Sequence, residues 1–273
     1  MGNDMMKTGD TDLSTEVADF LIDNQDDQVE FKASDLTIPF VRILQALSGA
    51  VSGDGVPGAK PGLFYHTTTG TLGERMVMSI IKYEHIVTQW PKRGSGSSNP
   101  EGSWVFGDPA TPASFTKPDS EKPYQRWVNE TSVLEDSLNY LCEVSIDGHE
   151  LGLAIVPFGG KAIKKAKALN ALLGSRQIIH GGKEYDAPIY TYSYGVTTRE
   201  ETNAKGRFYQ PRFDAGVPIN DMAVLRRLKG MYDNMKTRST ANMKAEDFGD
   251  AKPLDEGVPF EVDGEAGDGE LGL

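Results

Sequence analysis

Residues 137–158 read SLNYLCEVSIDGHELGLAIVPF. Two apolar alternating runs meet at Asp147-Gly148, and Asp-Gly between such runs is a strong hairpin signal, because both residues tolerate the left-handed backbone of a tight turn. Alternation places successive side chains on opposite faces of a sheet. The hairpin therefore sets the class as mainly β. Cys142, the one cysteine, lies in the first run and reads as a buried, inert thiol. A single cysteine excludes an internal disulfide framework and a four-cysteine zinc site.

Outward from this hairpin, LFYHTTTG (63–70) and MVMSIIKYEHIVTQW (76–90) read as strands. In LTIPFVRILQALS (36–48), Pro39 demotes a strand, and Val41 to Leu47 reads as strand or one helical turn. GAVSGDGVPGAKPG and PKRGSGSSNPEGS (91–103) are loops by their Gly, Ser and Pro content, the second a flexible one. The stretch 104–127 reads as irregular, and His180 in IIHGGKEY as a turn residue. KAIKKAKALNALLG (161–174) is the clearest helix: Ile163, Ala166, Leu169 and Leu173 recur at three- and four-residue spacings, with Gly174 at the C′ position. Lys161, Lys164, Lys165 and Lys167 fall on its solvated part. A second helix spans about 221–236, capped by Asn220 or Asp221, and STEVADFLI (14–22) is a short helix candidate. Many short strands, one central helix and one C-terminal helix fit α+β architecture, and an OB-like small barrel with insertions is the best single expectation.

The segment YTYSYGVTTREETNAKGRFYQPRF (190–213) reads as a second hairpin, with REETNAKG as a loop of several residues. Strict alternation puts Tyr190, Tyr192 and Tyr194 on one face. Lys205, Arg207, Tyr209 and Arg212 follow them. Such a ribbon either packs its rings in a core or presents rings and cations to bases and phosphates.

The net charge of −12 is unevenly divided. Residues 1–35 hold ten acidic residues against Lys7 and Lys32, a balance of −8, and residues 246–273 hold ten against Lys252, a balance of −9. The body, 36–245, is left at +5. The sequence thus predicts a β-rich, mildly basic body between an acidic N-terminal segment and a disordered acidic tail. No apolar stretch approaches the ~20 residues of a membrane span, and the N-terminus lacks the basic and apolar regions of a signal peptide, so an intracellular protein is expected.

Chemistry-bearing motifs are sparse. The four histidines are scattered without metal-ligand spacing, and no GxSxG occurs. Gly-Gly-Lys at 159–161 and 181–183 lacks both the earlier glycine of a phosphate loop and the following Ser or Thr. No catalytic residue, metal or cofactor is expected. Three stretches do carry aromatics beside cations: Trp90, Lys92 and Arg93 leading to Trp104; Arg126 with Trp127; and the 190–213 hairpin. Lys164 on the basic helix joins them as a candidate phosphate contact.

A β-rich basic body with an acidic tail resembles the single-stranded-DNA-binding proteins of tailed phages, and LTIPFVRILQALS, GAKPGLFYHTTTGTL and QWPKRGSG resemble phage replication-region proteins. The resemblance implies DNA binding through aromatic and basic side chains, and replication partners recruited by the tail in the host cytoplasm. It also places Pro259 and Phe260 of DEGVPF (255–260) at the partner contact, although bacterial single-strand binders carry Pro-Phe at the terminus and thirteen residues follow it here. The leading expectation is a non-enzymatic single-stranded-DNA-binding protein of phage replication or recombination. The rivals are a virion structural protein and an acidic DNA mimic that inhibits host enzymes.

Overall fold

The computed structural model describes residues 38–51, 55–91, 100–113, 125–203, 206–237 and 239–240. They fall in a single unit whose first residue is Ile38. The helix expected at 14–22, the acidic segments 1–35 and 246–273, and Lys92, Arg93, Lys205, Pro259 and Phe260 lie outside the described residues.

Strands β1 (Val41–Ile43), β2 (Phe64–His66) and β3 (Leu72–Gly73) form a small antiparallel sheet. Strands β4 (Arg75–Pro91) and β7 (Ser132–Ile146) pair along almost their whole length, interrupted by a bulge at Ile81. β8 (His149–Gly159) returns from β7 through Asp147-Gly148, whose φ values of 48° and 84° are those the turn requires. β11 (Tyr192–Asn203) joins the other side of β4, and β12 (Gly206–Phe213) forms the edge, so one end of the sheet runs β12-β11-β4-β7-β8. At the other end β4 and β7 continue, flanked by β5 (Gly102–Val105) and β6 (Gln125–Trp127). β9 (Gln177–His180) and β10 (Lys183–Asp186) make a separate hairpin, and β13 (Val217–Pro218) pairs with β11. Helices α1 (Ala162–Gly174) and α2 (Met222–Met235) complete the fold.

One sheet face carries the main core: Met76, Met78, Ile80, Tyr140, Cys142, Val144, Tyr194 and Val196, with Val41 and Phe64 of the small sheet and Ile163, Ala166 and Leu169 of α1. The spacing that predicted α1 therefore also names its buried stripe. A second cluster of Phe40, Leu141 and Ile155 packs with Met235 of α2, whose Arg227 bonds Glu143 at 2.8 Å. Asp221 caps α2 by accepting from the Ala223 and Val224 amides. Cys142 is a buried free thiol, and burial pushes its pKa well up.

Several expectations need correction. β5 and β6 fall in stretches read as loop or irregular: neither alternates clearly alone, but the extended β4–β7 ribbon leaves edges for them to pair with. His180 ends β9 rather than sitting in the turn, which is Gly181-Gly182. Gly174 is the last helical residue, and Ser175 is the cap. In the second hairpin the strands pair up to Asn203–Gly206, so only Ala204 and Lys205 remain between them. The Glu200 carboxylate supports that pairing, accepting the Tyr209 hydroxyl at 2.8 Å and lying 3.7 Å from Arg207. Tyr190 falls in one turn of 3-10 helix (Ile189–Thr191) and tilts against Tyr232, so only Tyr192 and Tyr194 share the strand.

The expected barrel is replaced by open antiparallel sheets. Among the described residues β8 and β12 do not pair, because other groups occupy their edges. Ile155 of β8 donates to the Pro39 carbonyl at 2.8 Å, while the Tyr209 backbone of β12 bonds the Gln45 side chain. Side chains bridge the gap instead: the Phe158 and Phe213 rings meet edge to face, and α1 packs on both strands.

Candidate nucleic-acid interface

The +5 balance of the body has one source. Residues 160–213 hold ten Lys and Arg against Glu184, Asp186, Glu200 and Glu201, a balance of +6. The fold brings much of this charge together, because α1 lies against the β11–β12 hairpin. Between them runs a groove of about 350 Å³ lined by Lys165, Leu169 and Leu172 of α1, by Arg199, Glu201, Gln210, Arg212 and Phe213 of the hairpin, and by Asp214 just past its end, so three cations stand against two carboxylates. Arg199 and Arg212 are exposed and make no ion pair among the described residues, whereas Lys165 lies 3.6 Å from Glu201. At the groove's end the Lys161 ammonium sits 3.9 Å over the Phe208 ring. The arrangement offers exposed cations above an apolar floor, chemistry suited to a phosphodiester strand with unstacked bases.

Of the site residues expected from sequence, Lys164, Arg207, Tyr209 and Arg212 belong to α1 and the hairpin. Tyr209 is tied down rather than free: its hydroxyl bonds Glu200, which raises its pKa, and its ring covers Gly62. Tyr192 packs against the main core with the Arg176 guanidinium 4.5 Å over its ring. Lys165 and Arg199 were absent from the expected set, because helical spacing says which lysines are solvated and not which of them meets a distant hairpin.

The tryptophans collect elsewhere. Trp90 and Trp127 pair with Val133 from either side, so the three side chains form one row across β4, β7 and β6 on a shared face. Trp104 pairs with Val87 on the opposite face, as Arg126 does with Leu134. Arg126 bonds Asp136 at 2.8 Å, and His85 approaches the same carboxylate at 3.3 Å while stacking on Phe106. All three tryptophans are half-buried. This end is not basic among the described residues, where Glu101, Asp108, Glu130, Glu135 and Asp136 outnumber Arg126. It is an aromatic platform without the cations of the groove.

Among the described residues no group of three His, Cys, Asp or Glu side chains is placed to hold a metal ion, and no helix is long and apolar enough to cross a membrane.

Fold and surface together define a protein of open antiparallel sheets with a cationic groove beside an edge hairpin. The chain belongs to the Pam3 phage gp34-like protein family, whose model matches residues 8–241. No curated protein and no solved structure matches it.

Proposed function

We propose that this protein binds single-stranded DNA during phage replication or recombination, in the host cytoplasm and without catalysing a reaction. The observation that carries this reading is the excess of positive charge in residues 160–213, of which Lys165, Arg199 and Arg212 line one groove. Arg199 and Arg212 stand at its wall with no ion-pair partner among the described residues. Lys164, Lys165, Arg199, Arg207 and Arg212 neutralise phosphates, Lys205 adds charge to the same hairpin, and bases rest on the apolar floor. The Trp90–Trp127 row, with the neighbouring Lys92 and Arg93, extends the path as a stacking platform for longer strands, and Trp104 with Arg126 offers a second contact on the opposite face. The C-terminal segment 246–273, at −9, competes with DNA for the groove and offers Pro259 and Phe260 to replication proteins.

Salt-dependent binding tests the reading. Losing one phosphate contact from a single strand flattens the slope of log affinity against log salt by about 0.7. Arg199→Ala and Arg212→Ala should each do so with an unchanged melting temperature, and deleting 246–273 should tighten binding at low salt. A virion protein or a DNA mimic gains no DNA affinity from that deletion, and absence of binding by the truncated chain in dilute buffer rejects the proposal.

A further inference from the structure

Seven polar side chains are buried among the described residues. Ser48, His66, Ser79, Ser132, Asn139 and Thr240 each make a side-chain hydrogen bond within the chain. The Gln210 carboxamide makes none among the described residues, although only 5% of its surface is exposed. A buried carboxamide left unpaired costs free energy, because its donors and acceptor lose water without gaining a partner. Gln210 pairs with Arg199 across β11 and β12 and lies two residues from Arg212, so the three side chains share the sheet face that lines the groove. Arg199 and Arg212 are exposed and Gln210 is not. The cations therefore stand at the rim and the carboxamide at the bottom, with Leu169 and Leu172 of α1 forming the other wall.

We propose that Gln210 hydrogen-bonds the pairing edge of one base held in the groove. This role rests on the DNA binding proposed above and adds to its phosphate contacts and apolar floor a direct contact to a base edge. A carboxamide carries a donor and an acceptor side by side, the complement of the adjacent acceptor and donor that a base presents. At thymine, Gln210 Oε1 accepts from N3–H while Nε2 donates to O4. Phosphates held by Arg199 and Arg212 at the rim leave the base directed inward, where its ring meets Leu169 and Leu172. The base must be unpaired, since in a duplex its partner takes the same edge. A groove of about 350 Å³ lies at the small end of the roughly 300–1,000 Å³ of ligand sites, a fit for a base and not for a double helix.

The test measures binding of the full chain, wild type and Gln210→Met, to oligo-dT and to the same strand built from N3-methylthymidine, whose edge is blocked while its rings and phosphates remain. Wild type should bind the blocked strand about tenfold more weakly, the loss of about 1.4 kcal/mol expected of one base-edge contact. Gln210→Met should bind both strands alike, with an unchanged salt slope because no phosphate contact is lost. Its melting temperature should hold or rise, since an apolar side chain of the same length replaces an unpaired buried polar one. Equal binding of the two strands by wild type overturns the proposal, and that measurement needs no variant. A deficit on the blocked strand that persists in Gln210→Met also overturns it, because the methyl group then acts by bulk alone. So does a flatter salt slope in Gln210→Met, which makes Gln210 a phosphate contact. Failure of wild type to bind either strand overturns this role together with the DNA binding it rests on, whereas equal binding of both leaves the DNA binding standing.

Discussion

Phe158 of β8 and Phe213 of β12 meet with ring centroids 5.4 Å apart and planes at 86°, joining the two outer strands at the five-stranded end of a sheet that hydrogen bonds leave open. The contact curls the sheet around its core, with Tyr140 also edge-on to Phe158 at 5.7 Å. Truncating Phe158 to Ala should cost about 3–5 kcal/mol, as large core-to-Ala changes do. Urea unfolding measures the loss. A cost below about 1 kcal/mol would place the seam outside the stabilising core.

Gly62 is constrained twice. Its φ is 92°, and a Cβ built on it falls 2.6 Å from the Tyr209 ring. Gly62→Ala should therefore destabilise by about 1–3 kcal/mol, the scale of a strained backbone conformation plus a clash. In a Tyr209→Ala background the clash disappears and only the backbone cost remains. A double-mutant cycle in thermal unfolding that shows no coupling would contradict the close approach.

Alkaline stability follows from the core. Burial pushes the Cys142 thiol well up, and burial followed by the neighbouring Tyr83 and Cys142 pushes the Tyr140 phenol up. Both groups stay protonated when folded, whereas in the unfolded chain they ionise near their ordinary values of about 8.5 and about 10. The unfolded state thus binds fewer protons above those values, and stability should fall as pH rises, beginning near about pH 8.5 and steepening past about 10. Urea titrations across that range check the slope. Tyr140→Phe should make it shallower above about pH 10 while costing about 1 kcal/mol for the hydrogen bond whose single proton the hydroxyl directs to Asn170 Oδ1 at 2.7 Å, with Ala166 O also in reach at 3.1 Å.

Separation between groove and tryptophans makes a length-dependent prediction. Arg75 at the start of β4 pairs with Thr197 beside the groove, and Trp90 lies fifteen residues further along, about 50 Å for an extended strand. An oligonucleotide near the low end of the usual footprint of about 4–16 nucleotides should saturate the groove without changing tryptophan fluorescence. One several times longer should quench it, and Trp90→Ala or Trp127→Ala should weaken only the longer ligand. Equal quenching by both lengths would move the first contact to the tryptophan end.

The sequence alone determined what depends on local period and local chemistry. Asp147-Gly148 marked the β7–β8 turn, three- and four-residue spacing marked the Ile163–Ala166–Leu169 stripe, and Asn220-Asp221 marked a helix start, each because the signal and the structure it encodes lie within a few residues. Charge division was legible too, and it pointed to the body as the basic part. Tertiary structure decided everything that turns on who occupies an edge. Trp104 and Trp127, in stretches without a clear period, became strand residues of β5 and β6 only because β4 and β7 outrun the core and offer them partners. Lys165 and Arg199 became facing walls of a groove only because α1 lies on the hairpin. The barrel stayed open for the same reason: Pro39 and Gln45 hold the backbone groups of β8 and β12 that closure needs, and nothing in the local sequence of either strand records those distant partners.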